Sequence, residues 1–124
     1  MLKIYTNNPE VKNNHLPVVY HRKSCEELLI ILRDQIHLGG KLLSDPMPAS
    51  RRMLESPFRS VVLATSKNKG HPLDIHSLQT IEKAIRHYRR IKELKTPAAE
   101  TVLADFQQVD KQLLNSTLKE LGIG

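Results

Sequence analysis

The 124-residue chain has no tryptophan, one cysteine, three tyrosines and two phenylalanines. With aromatics at 4%, aliphatic side chains must build the core. Few rings are left to stack on bases, as single-strand nucleic-acid binders require. A lone Cys25 excludes an intramolecular disulfide and fits a reducing compartment. Long hydrophobic runs are missing too. The longest unbroken one, Leu28 to Leu32, falls far short of the roughly 20 residues of a membrane-spanning helix. Met1-Leu2-Lys3-Ile4-Tyr5-Thr6 lacks the apolar stretch of a secretory signal. A cytoplasmic protein with no membrane contact is expected.

Several chemistries leave no trace. There is no Gly-rich phosphate loop and no Gly-flanked nucleophilic serine. Histidines 15, 21, 37, 71, 76 and 87 form no metal-ligand pattern, and no cysteine pair accompanies them. Cys25 follows Ser24 at a helix start, but Glu26 and Glu27 beside it oppose a lowered pKa, so a packed thiol is expected. No cofactor or metal is expected, and catalysis has no visible nucleophile and base.

What is present is aliphatic and basic. Apolar residues make up 40% of the chain, which argues against disorder, and the length suits one domain spanning 1–124. The net charge of +6 is uneven. Residues 1–23 carry +3, 41–70 carry +4 and 71–95 carry +3, while 24–40 and 96–124 each carry −2. A basic balance favours anionic partners.

Leu2–Thr6 reads as a first strand, ended by Asn7-Asn8-Pro9-Glu10. Asn8 as cap and Pro9 at the first helical position predict a short helical turn to about Lys12. Val18-Val19-Tyr20 starts a second strand. Ser24 and Glu27 have capping-box spacing ahead of a helix carrying Leu28, Leu29, Leu32 and Ile36, which Gly39-Gly40 ends. Pro46, Pro48 and Pro57 make 41–57 irregular, and Ser60–Thr65 reads as a buried third strand. Asp74 caps a helix with the stripe Ile75, Leu78, Ile81, Ile85, Tyr88 and Ile91. Thr96-Pro97 opens a last helix with Val102, Phe106, Val109, Leu113 and Leu118 facing inward, and residues 96–124 read as a C-terminal helical extension. The expected fold is α/β: a small, mainly parallel sheet of three or four strands with packed helices and a C-terminal helical hairpin.

Three stretches could carry function. Thr6-Asn7-Asn8-Pro9 joins a strand to a helix start, where free N–H groups suit an anion, although a capped turn explains the same residues. The loop with Ser44, Asp45, Ser50, Arg51 and Arg52, running on to Arg59, is long, and its arginines could grip phosphate or carboxylate. A mobile surface loop is the plainer reading. Arg86, Arg89 and Arg90 could meet nucleic-acid phosphates, but no recognition pattern accompanies them and a solvated helix face is expected.

Ile4-Tyr5-Thr6-Asn7-Asn8-Pro9-Glu10-Val11, Leu42-Leu43-Ser44-Asp45-Pro46-Met47 with Ser50, and Glu55-Ser56-Pro57-Phe58-Arg59-Ser60-Val61 together resemble the GrdX family. In that family a strand ends in Thr-Asn-Asn-Pro. A helix then leads to Leu-Leu-X-His-Pro-Leu and a basic segment, and Thr-Pro-Tyr-Lys-Ser precedes a hydrophobic strand. Here Asp45 replaces the His, Ser56 the Thr, Phe58 the Tyr and Arg59 the Lys. The likeness covers most of residues 2–95. It implies a small accessory protein encoded beside the glycine, sarcosine and betaine reductases of amino-acid-fermenting anaerobes. The combined expectation is an anionic metabolite or phosphate held by Asn7, Asn8, Ser44, Asp45, Ser50, Arg51, Arg52 and Arg59. The alternatives are a protein-interaction module or homodimer using the C-terminal helices, and, third, nucleic-acid binding through the basic helix.

Overall fold

The computed structural model describes residues 1–48, 53–65, 72–92 and 100–123. In chain order the elements are β1 (Leu2–Thr6), β2 (Val18–Tyr20), α1 (Cys25–His37), β3 (Lys41–Leu42), a 3₁₀ turn (Met53–Glu55), β4 (Ser60–Ala64), α2 (Ile75–Lys92) and α3 (Glu100–Glu120). One four-stranded sheet runs β2-β1-β4-β3. β1 pairs parallel with β2, Ile4 opposite Val18. β4 lies antiparallel between β1 and β3, with Thr6 opposite Ser60 and Leu42 opposite Leu63.

The expected mainly parallel sheet is therefore mixed. The crossover rule itself holds: α1 returns the chain parallel to β2, but at β3, the far edge of the sheet. β3 has only two residues, too few to show a period. It forms because Leu42 N–H donates to Ser77 Oγ (3.0 Å), Leu43 N–H to Val62 O (2.9 Å), and Ser44 Oγ accepts the Val62 N–H (2.9 Å). β4 then runs back antiparallel to both neighbours, with no α-helix among the described residues between it and β3.

Alternation along the strands sends side chains to two faces. Tyr5, Val61 and Leu63 meet α1 and α2, which supply Leu28, Leu32, Ile36, Ile81 and Ile85. Ile4 and Val62 meet Leu114 and Leu118 of α3 on the other face, with Val11 beside them. The expected hairpin of the last two helices is thus absent, since α2 and α3 cover opposite faces of the sheet. Each buried Leu or Ile contributes about 1.5–3 kcal/mol, against at most about 0.7 kcal/mol of helix propensity per ordinary residue. Burial decides where the helices lie.

Local signals set the ends of α1. Ser24 Oγ accepts the Glu27 N–H (3.1 Å) while Glu27 Oε1 accepts the Ser24 N–H (3.3 Å), the capping box read from sequence. At the other end Gly40 N–H reaches Gln35 O and Gly39 N–H reaches Ile36 O, a Schellman closure that needs the positive φ of Gly39 (101°). A Cβ at Gly40 would stand 2.8 Å from the Gln35 carbonyl oxygen. The short helical turn expected after Asn8 is a β-turn instead. Val11 N–H donates to Asn8 O, Pro9 takes the second position and Asn8 Oδ1 accepts the Glu10 N–H.

On α3 the buried positions are Phe106, Asp110, Leu114 and Leu118, while Val102, Val109 and Leu113 are exposed. The inward stripe is rotated from the apolar one expected, because a carboxylate occupies its second position. No helix of the described residues is long and apolar enough to cross a membrane.

Candidate functional site

β1 and β2 end side by side at Thr6 and Tyr20, and α1 begins at the same end of the sheet. There a cleft of about 380 Å³ opens. Tyr20 lines it from the end of β2, Arg22, Lys23 and Ser24 from the β2–α1 connection, and Glu27 from the first turn of α1. Asn7 and Pro9 come from the turn after β1, Pro57 and Phe58 from the approach to β4, and Gln107 from α3. Arg22 and Lys23 are exposed. Lys23 Nζ lies 4.0 Å from Glu27 Oε2, an exposed pair worth less than about 1 kcal/mol and easily opened. The dipole at the start of α1 adds positive character. The cleft therefore combines two lysine- and arginine-type charges with the apolar faces of Tyr20 and Phe58.

Asn7 closes the floor. Its Nδ2 donates to Lys23 O (3.1 Å) and Pro57 O (2.8 Å), and its Oδ1 accepts the Arg59 N–H (2.8 Å). One amide thus ties the turn after β1 to the β2–α1 connection and to the approach to β4.

Asn8 is fully buried on the α3 side. Its Nδ2 donates to Gln107 O (2.9 Å) and Asp110 Oδ2 (3.0 Å). Ser60 Oγ also donates to Asp110 Oδ2 (2.7 Å), lies 2.7 Å from Thr6 Oγ1, and that hydroxyl accepts the Asn8 N–H (2.9 Å). Because Ser60 spends its only proton on the carboxylate, Thr6 must donate to Ser60. The bonds form a closed ring that leaves Asn8 through its backbone and returns through its side chain. Burial pushes the Asp110 carboxyl above its ordinary range, while the bonds from Ser60 and Asn8 and the positive charge of Arg59 act in the opposite sense.

The other expected site residues are dispersed. Ser44 is used by the sheet at Val62, and Asp45 Oδ1 holds the Met47 N–H (2.8 Å) in a turn. Arg59 is buried and directs its guanidinium to main-chain carbonyls rather than to the cleft. Ser50, Arg51 and Arg52 lie outside the described residues, as do Thr96 and Pro97, where the last helix was expected to open. On α2, Arg86, Arg89 and Arg90 are exposed, and Arg89 Nε pairs with Glu26 Oε1 (2.6 Å). His87, between them on the same helix, is half-buried with its Nε2 enclosed. The Tyr88 phenol is pushed up by burial first and by nearby Cys25 second, with Arg59 pulling it down.

Arg22 and Lys23 were legible by the same rule that singles out Asn7 and Asn8, since both follow a strand and precede a helix start. Asp110 was legible only as the odd member of a stripe with spacing four.

Residues 3–119 match the model of a family described as GrdX-like protein. The match runs from β1 through nearly all of α3. No curated protein and no solved structure matches the chain significantly.

Proposed function

Because the chain belongs to the GrdX-like protein family, we propose that it is a small accessory protein binding an anionic metabolite or phosphate group in the cleft at the ends of β1 and β2. Following the family resemblance, its setting is the reductive metabolism of glycine, sarcosine or betaine. The observation that carries the binding reading is the cleft itself. It opens at the carboxyl ends of two parallel strands and the start of a helix, with Arg22 and Lys23 on its wall. Arg22 offers a fork of donors, Lys23 a mobile charge, and Tyr20 and Phe58 an apolar rest for the remainder of the ligand.

The test is thermal unfolding with inorganic phosphate, phosphorylated metabolites, nucleotides, glycine and betaine in turn. A ligand at 100 times its Kd stabilises by about 2.7 kcal/mol, several degrees for a domain of this size. Arg22→Ala with Lys23→Ala should abolish the shift without lowering the unliganded melting temperature, since both residues are exposed. A flat screen, or a shift that survives in the double variant, rejects this site.

A second reading is favoured by the exposed Val102, Val109 and Leu113 on α3, an apolar strip a protein partner or second copy could cover. It predicts a concentration-dependent dimer in sedimentation that Leu113→Lys disrupts; a monomer at all concentrations removes the homodimer.

A further inference from the structure

An aromatic ring left in water forgoes one of the largest burial gains a side chain offers. Three tyrosines and two phenylalanines are all the rings this chain has. Tyr5, Tyr88 and Phe106 are buried. The two that are not, Tyr20 (46% exposed) and half-buried Phe58, both line the cleft at the ends of β1 and β2. Two rings are too few for a strand of bases but enough for one planar group.

The sheet fixes where these rings start. Tyr20 stands opposite Thr6 on one side, and Ser60 stands opposite Thr6 on the other. Neighbouring strands lie about 4.8 Å apart, so the Tyr20 and Ser60 backbones are separated by roughly 10 Å. Phe58 precedes Ser60 by two residues, and the two aromatic residues thus flank the turn after β1. A gap of that width admits a flat heterocycle in contact at about 3.5–4.0 Å from each face. Gln107 reaches the same cleft from α3 with an amide that both donates and accepts, as the edge of a base does.

Positive charge is set beside the rings. Lys23 N–H donates to His21 O (2.8 Å), a tight turn that holds the exposed Arg22 at its apex, just past Tyr20. Glu27 also lines the wall. Its Oε1 accepts the Ser24 N–H (3.3 Å) and its Oε2 faces Lys23 Nζ (4.0 Å), so Arg22 is the principal partner for an anion. The volume of about 380 Å³ falls within the roughly 300–1,000 Å³ of small-molecule sites, far more than inorganic phosphate fills.

Resting on the anion-binding reading of this cleft, we propose that its ligand is a nucleotide. The phosphate meets Arg22 and Lys23, the base stacks on Tyr20 and Phe58, and the sugar bridges the step between charge and rings. Gln107 pairs with the edge of the base.

Isothermal titration calorimetry with AMP, ribose 5-phosphate and pyridoxal 5′-phosphate tests the proposal. Base–aromatic stacking of about 1–3 kcal/mol predicts that AMP binds about tenfold or more tighter than ribose 5-phosphate. Tyr20→Ala should lower AMP affinity by a similar factor and leave ribose 5-phosphate unchanged, while Tyr20→Phe keeps the preference. Tyr20 is exposed, so the variant folds. Equal affinity for AMP and ribose 5-phosphate, or a Tyr20→Ala that weakens both alike or neither, overturns the nucleotide and leaves the anion site standing. Pyridoxal 5′-phosphate binding tighter than AMP replaces the nucleotide with a smaller heterocycle. No binding of any of the three rejects both readings.

Discussion

At the scale of single residues, Asp110 has the clearest consequence. A carboxyl whose pKa is raised in the folded state favours folding while protonated, and that contribution is lost as pH rises through the folded value. In the unfolded chain the group titrates near 3.8. Asp110→Asn keeps the shape and removes the titration. Its stability relative to wild type, from urea unfolding, should therefore climb as pH rises from about 3.5, then level off once Asp110 is ionised. A difference curve flat in pH would show the carboxyl to be unperturbed. Asn8→Ala removes one of the bonds that lowers the Asp110 value, so the climb should extend to higher pH. The same change leaves the Gln107 carbonyl and Glu10 N–H short of a partner and should cost about 1–3 kcal/mol in urea unfolding. Asn7 and Asn8 illustrate the limit of reading residue types alone. Their identity as a polar pair at a strand end was plain, but whether an amide faces ligand or protein depends on what folds over it. Here the covering helix starts at Glu100.

Among the elements, those set by nearby residues were readable. β1, the Ser24 capping box, the Gly39-Gly40 stop and β4 follow from short stretches whose signals agree. β3 and the strand directions were not, because they depend on Ser77 Oγ, Val62 and Ser44 meeting across the sheet. α3 lies between the two cases. Its presence was legible, but its inward face was not, since an apolar count assigns Leu113 to the core and overlooks Asp110. The observed face gives an expected contrast. Leu118→Ala, 3% exposed, should cost about 2–4 kcal/mol by chemical denaturation, and Leu113→Ala, 44% exposed, less than about 0.5 kcal/mol. Comparable losses at both positions would contradict this register of the helix.

Over the whole molecule, one sheet has a helix pair on one face and a single helix on the other, and neither cover is expendable. A chain ending at residue 95 would bare Ile4 and Val62 and leave Asn8 without Asp110. It should show no cooperative unfolding transition by circular dichroism, whereas sharp two-state melting would make residues 96–124 an appendage. The general architecture, α/β with the polar turns at one end of the sheet, was accessible from the order of the elements. The place of the charged cleft was not, because it is assembled from residues 7, 22, 23, 58 and 107, brought together only by the fold. The bond between Asn8 and Asp110 spans 102 positions. At synthesis rates of about 5–20 residues per second, the Asn8 amide leaves the ribosome about 5–20 s before the carboxylate that completes its ring exists. During that interval Ile4, at the middle of the strand beside it, has no helix over it. The newborn chain thus carries an uncovered sticky strand until α3 emerges and seals it.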